Sequence, residues 1–331
     1  MQAERPAATP LRLGVAMCVF NGRAFLDTQL DSIAAQSRLP DTMAVVDDRS
    51  TDGSFERLQA WAATVPFSVG VHRNAERLGV VRNFDRAVRL LSADVIFLCD
   101  QDDVWAPDRL ERMAARFEAD PDLLLLHTDA RRIDGNGREM DGTLFHALAV
   151  RPQELRWLGQ GQAVDAYLRR NLATGATMAF RTSLLRFVQP FPEDWVHDEW
   201  LALCAAMVGR VDVMQECLVA YRQHTGNQIG AHRPGLREIL GLLFVSRGDF
   251  YRQRARKVEI LRERLLASDL ALRPGAMEKL EGKIRHQRFR AGLPANRLAR
   301  VLPVLGEILS GRYRRYSRAT QAIVQDLCES P

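Results

Sequence analysis

Short apolar runs alternate with helix-like segments along the first 130 residues, and this alternation limits the possible folds more than any other feature. Apolar runs typical of strands buried on both faces lie at 13–19, 43–46, 67–71, 95–99 and 123–126. Between them, apolar residues recur at helical spacing in 25–34 and after Gly79, and further helices are predicted over 54–63 and after Pro107. The pattern predicts an α/β fold with a parallel sheet covered by helices on both faces.

Polar residues follow three of the predicted strands at the point where each strand ends. They are Asn21-Gly22, Asp47-Asp48 and Asp100-Gln101-Asp102-Asp103. In open α/β folds, ligands bind beyond the carboxyl ends of the strands. We therefore expect the three groups to line one crevice.

The acidic run 100–103 suits a divalent cation. Mg2+ and Mn2+ prefer oxygen ligands and leave coordination positions for substrate phosphates. The competing interpretation is a polar turn or helix cap, and for Asp47-Asp48 in isolation that interpretation is the stronger one. The front of the chain contains neither G-x-G-x-x-G nor G-x-x-x-x-G-K-[ST], which speaks against a dinucleotide-binding fingerprint and a P-loop ATPase.

Two later polar clusters could also carry chemistry. His197-Asp198-Glu199-Trp200 precedes an apolar helical run, where acidic residues are favoured by the helix dipole, but an ionised Asp198 could also act as a general base. Tyr221-Arg222-Gln223-His224 follows another predicted strand. His224 is either structural or a ligand of a metal or phosphate, and Arg222 could neutralise diphosphate charge.

The charge is distributed unevenly along the chain. Residues 233–331 carry 21 Lys and Arg against 10 Asp and Glu, a net charge of +11, whereas the preceding residues carry 25 against 31. This basic region is predicted to be helical, with breaks at Pro274-Gly275 and Pro294. Its charge indicates either a solvated helical surface or contact with anionic lipid headgroups, and nucleic acid is a weaker candidate because aromatic residues are not interleaved.

The remaining composition favours a cytoplasmic protein. The five cysteines are scattered without a CxxC pair, which suits a reducing compartment. Residues 1–10 lack the apolar stretch of a signal peptide, and the longest apolar candidate, 239–246, is too short to span a bilayer.

Together and in this order, the motifs resemble those of family 2 glycosyltransferases with the GT-A fold, and most closely the bacterial rhamnosyltransferase-like members that build surface polysaccharides. The resemblance covers about residues 11–232. It rests on Val19-Phe20-Asn21-Gly22, Gln29–Ile33 with Gln36, Val45–Gly53, Asn74, Leu78-Gly79, Asn83-Phe84, Leu98–Trp105 with Pro107, Thr174-Gly175-Ala176, His197-Asp198 and Tyr221–His224.

The resemblance implies a GT-A nucleotide-diphospho-sugar transferase fold, which is a Rossmann-like mixed sheet with helices on both faces, followed by a C-terminal helical region. Residues 1–10 would be a flexible N-terminus. Residues 11–232 would form the catalytic domain, with a donor half at about 11–130 and an acceptor half at about 131–232. Residues 233–331 would form the basic helical region.

The resemblance also implies roles for individual residues. Asp198 would be the catalytic base, and Asp102 and His224 would hold Mg2+ or Mn2+, with Asp103 in a supporting role. The acceptor side would consist of Gly175, His197 and Trp200, although many family members have Glu where this chain has His197. The nucleotide of the donor would contact Phe20, Asn21, Asp48, Arg77, Gly79, Asp100 and Gln101.

The implied activity is inverting transfer of a sugar from a dTDP- or UDP-linked donor, with rhamnose favoured, to a saccharide or lipid-linked acceptor. Peripheral contact with the inner face of the cytoplasmic membrane and homo-oligomerisation are the further expectations, and no nucleic-acid partner is expected. Two alternatives remain. A sugar-nucleotide nucleotidyltransferase would need a Gly- and Arg-rich loop after the first strand, whereas here a helix is predicted directly after Asn21-Gly22-Arg23. An inactive sugar-binding module is disfavoured by the intact Asp100, Asp102 and Asp198.

Overall fold

The computed structural model describes residues 10–224 and 250–328. The expected boundary at 232/233, the apolar run 239–246 and nearly all of the predicted flexible N-terminus lie outside these ranges. Within them, no helix is both long enough and apolar enough to cross a membrane.

Eight strands form one sheet. They are β1 (Leu13–Val19), β2 (Thr42–Asp47), β3 (Ser68–Arg73), β4 (Val95–Cys99), β5 (Val104–Trp105), β6 (Leu123–Asp134), β7 (Met178–Arg181) and β8 (Arg210–Gln223). Their order across the sheet is β3-β2-β1-β4-β7-β6-β8-β5.

Helices flank and follow the sheet in the described ranges. The first nine are α1 (Arg23–Ala34), α2 (Ser54–Ala62), α3 (Val80–Arg89), α4 (Arg109–Ala119), α5 (Leu144–Ala147), α6 (Pro152–Gly159), α7 (Ala163–Arg169), α8 (Leu185–Val188) and α9 (His197–Val208). The C-terminal helices are α10 (Phe250–Leu266), α11 (Ala276–Ala291), α12 (Arg297–Leu309), α13 (Arg312–Tyr316) and α14 (Ala319–Cys328). The breaks predicted at Pro274-Gly275 and Pro294 are confirmed, because they fall on either side of α11.

The five strands predicted in the first 130 residues are present, but the sheet is mixed, as the GT-A resemblance implies, and not wholly parallel. β1 to β4 are parallel, whereas β7 runs antiparallel to both of its neighbours and β5 antiparallel to β8. β6 continues past residue 126, since the polar residues that follow are paired with β8. Residues 175–177 form a 3-10 turn before β7.

The antiparallel direction of β7 determines what meets at one edge of the sheet. Val95 at the start of β4 pairs with Arg181 at the end of β7, so the start of β7 lies at the carboxyl end of β4. The turn at Gly175 is therefore brought to the same edge as Asp100, although 75 positions separate them in the sequence. Residues from both predicted halves of the domain meet there.

Two hydrophobic cores lie on the two faces of the sheet. Along β1, Ala16 and Cys18 belong to one core and Val15 and Met17 to the other, as the alternation of side chains along a strand requires. The first core also contains apolar residues of α9, α10 and α11. Helices α10 and α11 thus share a core with α9 and with one face of the sheet.

A buried ion pair joins the C-terminal helices to one another. Arg290 of α11 donates two hydrogen bonds to Asp326 of α14, from Nε at 2.8 Å and from a terminal nitrogen at 2.9 Å. The hydroxyl of Tyr313 also donates to Asp326, and Arg290 donates to the hydroxyl of Tyr251. Asp326 is fully buried, so its charge depends on these donors.

Replacing Asp326 with Ala is expected to destabilise the protein by about 3–5 kcal/mol, because it removes the carboxylate that pairs with buried Arg290. Urea unfolding followed by circular dichroism measures the free-energy change. Asp269→Ala, at an exposed acidic residue of the same region, is the matched control and should cost no more than about 0.5 kcal/mol. Equal effects of the two substitutions would contradict a structural role for the ion pair.

Candidate active site

A cleft of about 370 Å3 opens where the carboxyl ends of β1 and β4 meet the start of β7. The predicted site residues that line it are Phe20, Asp48, Asp100, Gln101, Asp102, Gly175, His197 and Asp198. Lining residues that the sequence reasoning did not assign to a site include Asn171, Thr174, Glu199 and Tyr221. Of the three groups at the strand ends, Asp48 and Asp100-Gln101-Asp102 therefore line one cleft, whereas Asn21-Gly22 do not.

Gln101 ties the end of β4 to the end of β1. Its side-chain oxygen accepts a hydrogen bond from the Phe20 N–H at 2.8 Å, and its side-chain nitrogen donates to the Phe20 carbonyl at 3.1 Å. A Cβ at Gly22 would lie 2.4 Å from the Gln101 oxygen, so a larger residue there would displace the Gln101 side chain from this contact. Helix α1 begins at Arg23, directly after Gly22, as predicted from the sequence.

Asp48 holds the segment that leads into α3. Its carboxylate accepts hydrogen bonds from the Asn74 side chain at 2.6 Å and from the backbone N–H groups of Leu78 and Gly79 at 2.7 and 2.9 Å. The guanidinium of Arg77 in this segment lies 3.8 Å from the centre of the Phe20 ring. Asp48 therefore shapes this wall of the cleft as well as lining it.

Asn21 stands beside the cleft and stabilises the turn after β2. Its backbone has a positive φ of 49°, a conformation that Asn adopts more readily than most residues. Its side-chain oxygen accepts a hydrogen bond from the Thr51 N–H at 2.9 Å. Asn21, Arg77 and Gly79 are not among the residues that line the cleft directly.

The acidic run divides into two carboxylates that face the cleft and one that does not. Asp100 and Asp102 line the cleft, whereas Asp103 is buried and accepts a hydrogen bond from the Arg222 N–H at 2.9 Å. Burial, and after it the negative charges of Asp102 and Asp198, raise the pKa of Asp100 to about 7. Negative charge thus accumulates on the side of the cleft formed by β4.

Arg109 lies beneath this acidic run. The sequence analysis predicted a helix after Pro107 but assigned no role to Arg109. It is fully buried at the first turn of α4, and its guanidinium lies 4.0 Å from the centre of the Trp105 ring. Burial lowers the pKa of Arg109 to about 10, and the nearby carboxylates of Asp103 and Asp100 oppose that shift. At neutral pH this buried cation partly compensates the carboxylates above it.

His224 contacts the acidic run from the end of β8. One ring nitrogen lies 2.8 Å from a carboxylate oxygen of Asp102, and the ring packs against Phe25 with centroids 4.6 Å apart. The guanidinium Nε of Arg222 donates to the Asp102 carbonyl at 2.7 Å. The structure therefore brings the predicted metal ligands Asp102 and His224 together, although His224 does not line the cleft.

Asp198 faces the cleft from the first turn of α9. Its carboxylate accepts hydrogen bonds from the Asn171 side chain at 3.1 Å and from the Gly175 N–H at 3.2 Å. Burial raises the pKa of Asp198 to about 7, against the effect of the Gly175 hydrogen bond and with a contribution from the charge of Glu199. A carboxyl group with this pKa can accept a proton near neutral pH.

His197 lies beside Asp198 as a neutral aromatic surface. Its ring stacks on Phe84 with centroids 4.3 Å apart, and neither ring nitrogen has a hydrogen-bond partner among the described residues. Burial lowers the pKa of His197 to about 4, so the ring is uncharged at neutral pH. A Cβ at residue 175 would lie 2.5 Å from the His197 Nε2, which explains why Gly175 sits opposite.

Trp200 is the predicted acceptor residue that the structure places outside the cleft. It is fully buried, packs against Trp195, and donates its indole N–H to the Val188 carbonyl at 2.9 Å. Two residues along a helix correspond to a rotation of about 200°, so Trp200 points to the side opposite Asp198. Its role is to pack α9 against α8.

The cleft carboxylates fit a divalent cation that is held by few protein ligands. Among the described residues, no three or more His, Cys, Asp or Glu side chains are grouped as a metal site. Mg2+ commonly binds through one or two carboxylates and completes its coordination with water and substrate phosphates. Asp102, with Asp100 beside it, meets that requirement, and burial together with the charges of Asp102 and Asp198 keeps the pKa of Asp100 raised despite the buried Arg109.

Known proteins resemble the chain over much of its length. The sequence profile described as glycosyl transferase family 2 matches residues 14–186. An uncharacterized glycosyltransferase of Nostoc sp. is 26% identical over 66% of this chain and 66% of that protein. The abequosyltransferase of Salmonella typhimurium is 24% identical over 52% of each chain, and a dTDP-rhamnosyl transferase of Shigella flexneri is 27% identical over 29% of this chain and 34% of its own. The chain thus spans between a third and two thirds of the length of these relatives.

Solved structures share the fold. TarS of S. aureus in complex with UDP-GlcNAc has a TM-score of 0.57 at 16% identity, covering 96% of this chain and 89% of that one. A mannosyltransferase of Pyrobaculum calidifontis in complex with GDP-Man and Mn2+ has a TM-score of 0.51 at 19% identity, covering 96% and 86%. With the profile matching more than half of its residues and a GT-A-like fold, the chain belongs to glycosyl transferase family 2.

Proposed function

We propose that this protein is an inverting, metal-dependent glycosyltransferase that moves a sugar from a nucleotide-sugar donor to a hydroxyl of a saccharide or lipid-linked acceptor. The observation that carries the proposal is the position of Asp198. This carboxyl group, with a pKa near 7, lines the same cleft as Asp100 and Asp102 but comes from a different part of the chain. One side of the cleft suits a cation and a diphosphate, and the other side supplies a base.

The donor nucleotide is assigned to the wall formed by the ends of β1, β2 and β4. Phe20 offers an aromatic face for a base, and Arg77 against that ring offers a charge for phosphate or ribose oxygens. Asp48 and Gln101 act mainly by fixing this wall, since both already hold protein groups. A dTDP-linked rhamnose is the favoured donor, supported by the similarity to the dTDP-rhamnosyl transferase of Shigella flexneri, and UDP-linked sugars are the alternative.

The acceptor is assigned to the side formed by the turn at Gly175 and the start of α9. The acceptor hydroxyl lies against Asp198, which takes its proton as the oxygen attacks the anomeric carbon. The bond from that carbon to the nucleoside diphosphate breaks on the opposite face, so the anomeric configuration inverts and no covalent sugar–enzyme intermediate forms. A divalent cation at Asp102, when bound, would stabilise the negative charge of the departing diphosphate. Asn171 and the Gly175 N–H hold the Asp198 carboxylate in place.

Asp198→Asn should leave donor binding intact and lower sugar transfer by roughly 10²- to 10⁴-fold, the usual contribution of a general base. Release of nucleoside diphosphate is measured across dTDP- and UDP-linked donors with Mg2+ or Mn2+, together with calorimetric donor binding. Asp194→Asn, at an exposed acid four residues earlier, is the control and should retain full activity. Near-normal turnover of Asp198→Asn would rule out Asp198 as the base, and no diphosphate release from any donor by the native protein would contradict glycosyl transfer.

The pH dependence of kcat/KM should show an acid limb with a midpoint near 7. Because burial raises the pKa of Asp198, the active ionised form predominates only above that pH, and the rate falls about tenfold per unit below it. Asn171→Ala removes a hydrogen bond to the ionised carboxylate and should move the midpoint to higher pH. A midpoint near 4, or one that Asn171→Ala leaves unchanged, would contradict the assignment.

Asp102→Asn should weaken Mn2+ binding to the complex with nucleoside diphosphate by roughly tenfold or more, which corresponds to about 1.4 kcal/mol. Titration calorimetry with Mn2+ and dTDP or UDP measures the change without requiring turnover. The exposed Asp122→Asn is the control. Equal Mn2+ affinity in the two variants would remove Asp102 from the metal site.

The roles of individual residues remain predictions, as do the domain boundary at 232/233, the cytoplasmic location and homo-oligomerisation.

The C-terminal helices contact the proposed acceptor side directly. The Trp195 indole donates to the Lys257 carbonyl, and Lys279 pairs with Asp165 at 2.6 Å. We therefore treat the basic helical region as a support of the acceptor half and not as an independent unit.

A further inference from the structure

Helix α12 has its apolar side facing outward. The side chains of Leu298, Leu302 and Leu309 are 83%, 80% and 87% exposed, whereas large apolar side chains of the described core are almost fully buried. Val301, Leu305 and Ile308 are also exposed and continue the same side of the helix. Spacings of three, four and seven residues place all six on one apolar stripe.

The side of α12 that packs against the other helices is largely polar. Arg300 is fully buried and donates to the Pro294 and Ala295 carbonyls, and Glu307 is 2% exposed. Glu307 accepts hydrogen bonds from Arg312 and lies 2.7 Å from a ring nitrogen of His286. Two charged residues of α12, Arg300 and Glu307, thus lie on its inner side and its leucines lie on its outer side, the reverse of a helix that faces water.

The surroundings of the apolar stripe are strongly positive. Residues 294–318 contain six Arg and a single acidic residue, Glu307, which is buried and paired with Arg312. Arg297, Arg314 and Arg315 are exposed near the two ends of α12. An apolar stripe flanked by exposed arginines matches the acyl boundary and the anionic headgroups of a bilayer.

We propose that α12 is a membrane-docking helix that lies in the interface of an anionic bilayer, with its leucines inserted and the flanking arginines on lipid phosphates. At 13 residues it is about 20 Å long, too short to span a bilayer but long enough to lie along its surface. A second copy of this chain is a poorer partner for α12. Two such surfaces in contact would bring their arginines together, and the like charges would repel each other.

The docking surface is connected to the acceptor side of the catalytic cleft. The Arg169 side chain at the end of α7 donates to the Ser317 carbonyl just after α13. Two residues after Arg169, the Asn171 side chain holds Asp198. A bilayer bound at α12 therefore lies on the part of the molecule that supports the acceptor half, although the proposal does not depend on the reaction catalysed.

Co-sedimentation of the full chain with vesicles tests the proposal. At low salt, the protein should bind vesicles of phosphatidylcholine mixed with phosphatidylglycerol and bind pure phosphatidylcholine more weakly. The triple variant Leu298→Ser, Leu302→Ser, Leu309→Ser should lose more than about tenfold in vesicle affinity, because the lost burial involves three leucines. These side chains are exposed, so the variant should keep its thermal stability and its nucleotide binding.

Two further variants separate the apolar from the electrostatic contribution. Leu90→Ser with Leu266→Ser removes exposed leucines elsewhere, at 43% and 61% exposure, and should bind vesicles like the native protein. Arg297→Gln, Arg314→Gln, Arg315→Gln should bind the anionic vesicles more weakly and with less dependence on salt.

Three results would overturn the proposal. One is failure of the native protein to bind the anionic vesicles at low salt. Another is equal binding by the native protein and the α12 leucine variant. The third is a native dimer, seen by analytical ultracentrifugation, that the α12 leucine substitutions convert to monomers without any vesicle binding in either form. Catalytic activity is not among the readouts, so loss of the proposed function and loss of membrane docking remain distinguishable.

Discussion

The gathering of carboxylates around one partly buried cleft is the constraint on which the arrangement of the site depends. Asp100, Asp102 and Asp198 all line it, and burial raises the pKa of both Asp100 and Asp198 to about 7. Such a group of like charges is unfavourable unless positive charge or hydrogen-bond donors compensate it. The protein provides part of that compensation through buried Arg109 and the Gly175 N–H. The negative charge that stays uncompensated makes the cleft suited to a cation.

The direction of two strands explains how residues far apart in sequence reach this cleft. Antiparallel β7 places Gly175 at the end of β4, and the pairing of β5 with β8 places Arg222 against the acidic run. The parallel strands β1 to β4 bring residues of the first 130 positions to this edge, and antiparallel β7 adds residues from later in the chain. Both sides of the proposed reaction therefore depend on the mixed sheet.

Sequence reasoning predicted the parts of this arrangement that leave a local pattern. The strands β1 to β4 follow from apolar runs, and Asp100 and Asp198 from acidic residues at the end of a strand and the start of a helix. The direction of β7 could not be predicted from its apolar residues, because a short buried strand reads the same in either direction. Arg109 and Asn171 are single polar residues without a motif, and only their contacts reveal their roles. Trp200, which the resemblance placed on the acceptor side, lies two residues after Asp198 in α9, and the rotation of the helix turns it into the core.

The C-terminal helices also have a feature that the sequence did not reveal. Their positive charge was visible in the sequence and suggested a lipid surface, but the orientation of α12 was not. Leu298 and Leu302 would ordinarily be assigned to the core of a helix pair, and Arg300 to the surface. In the structure the leucines are exposed and Arg300 is buried, because Arg300 donates hydrogen bonds to backbone carbonyls inside the bundle.

The central claim is that the acidic strand end and Asp198 form two sides of one catalytic cleft. A crystal structure with Mn2+ and dTDP or UDP, with the ion located by its anomalous signal, tests that claim most directly. The account predicts an ion bound to the Asp102 carboxylate, with the diphosphate in the cleft between it and Asp198. An ion and a nucleotide bound at any other place on the molecule, with the cleft left empty, would contradict it.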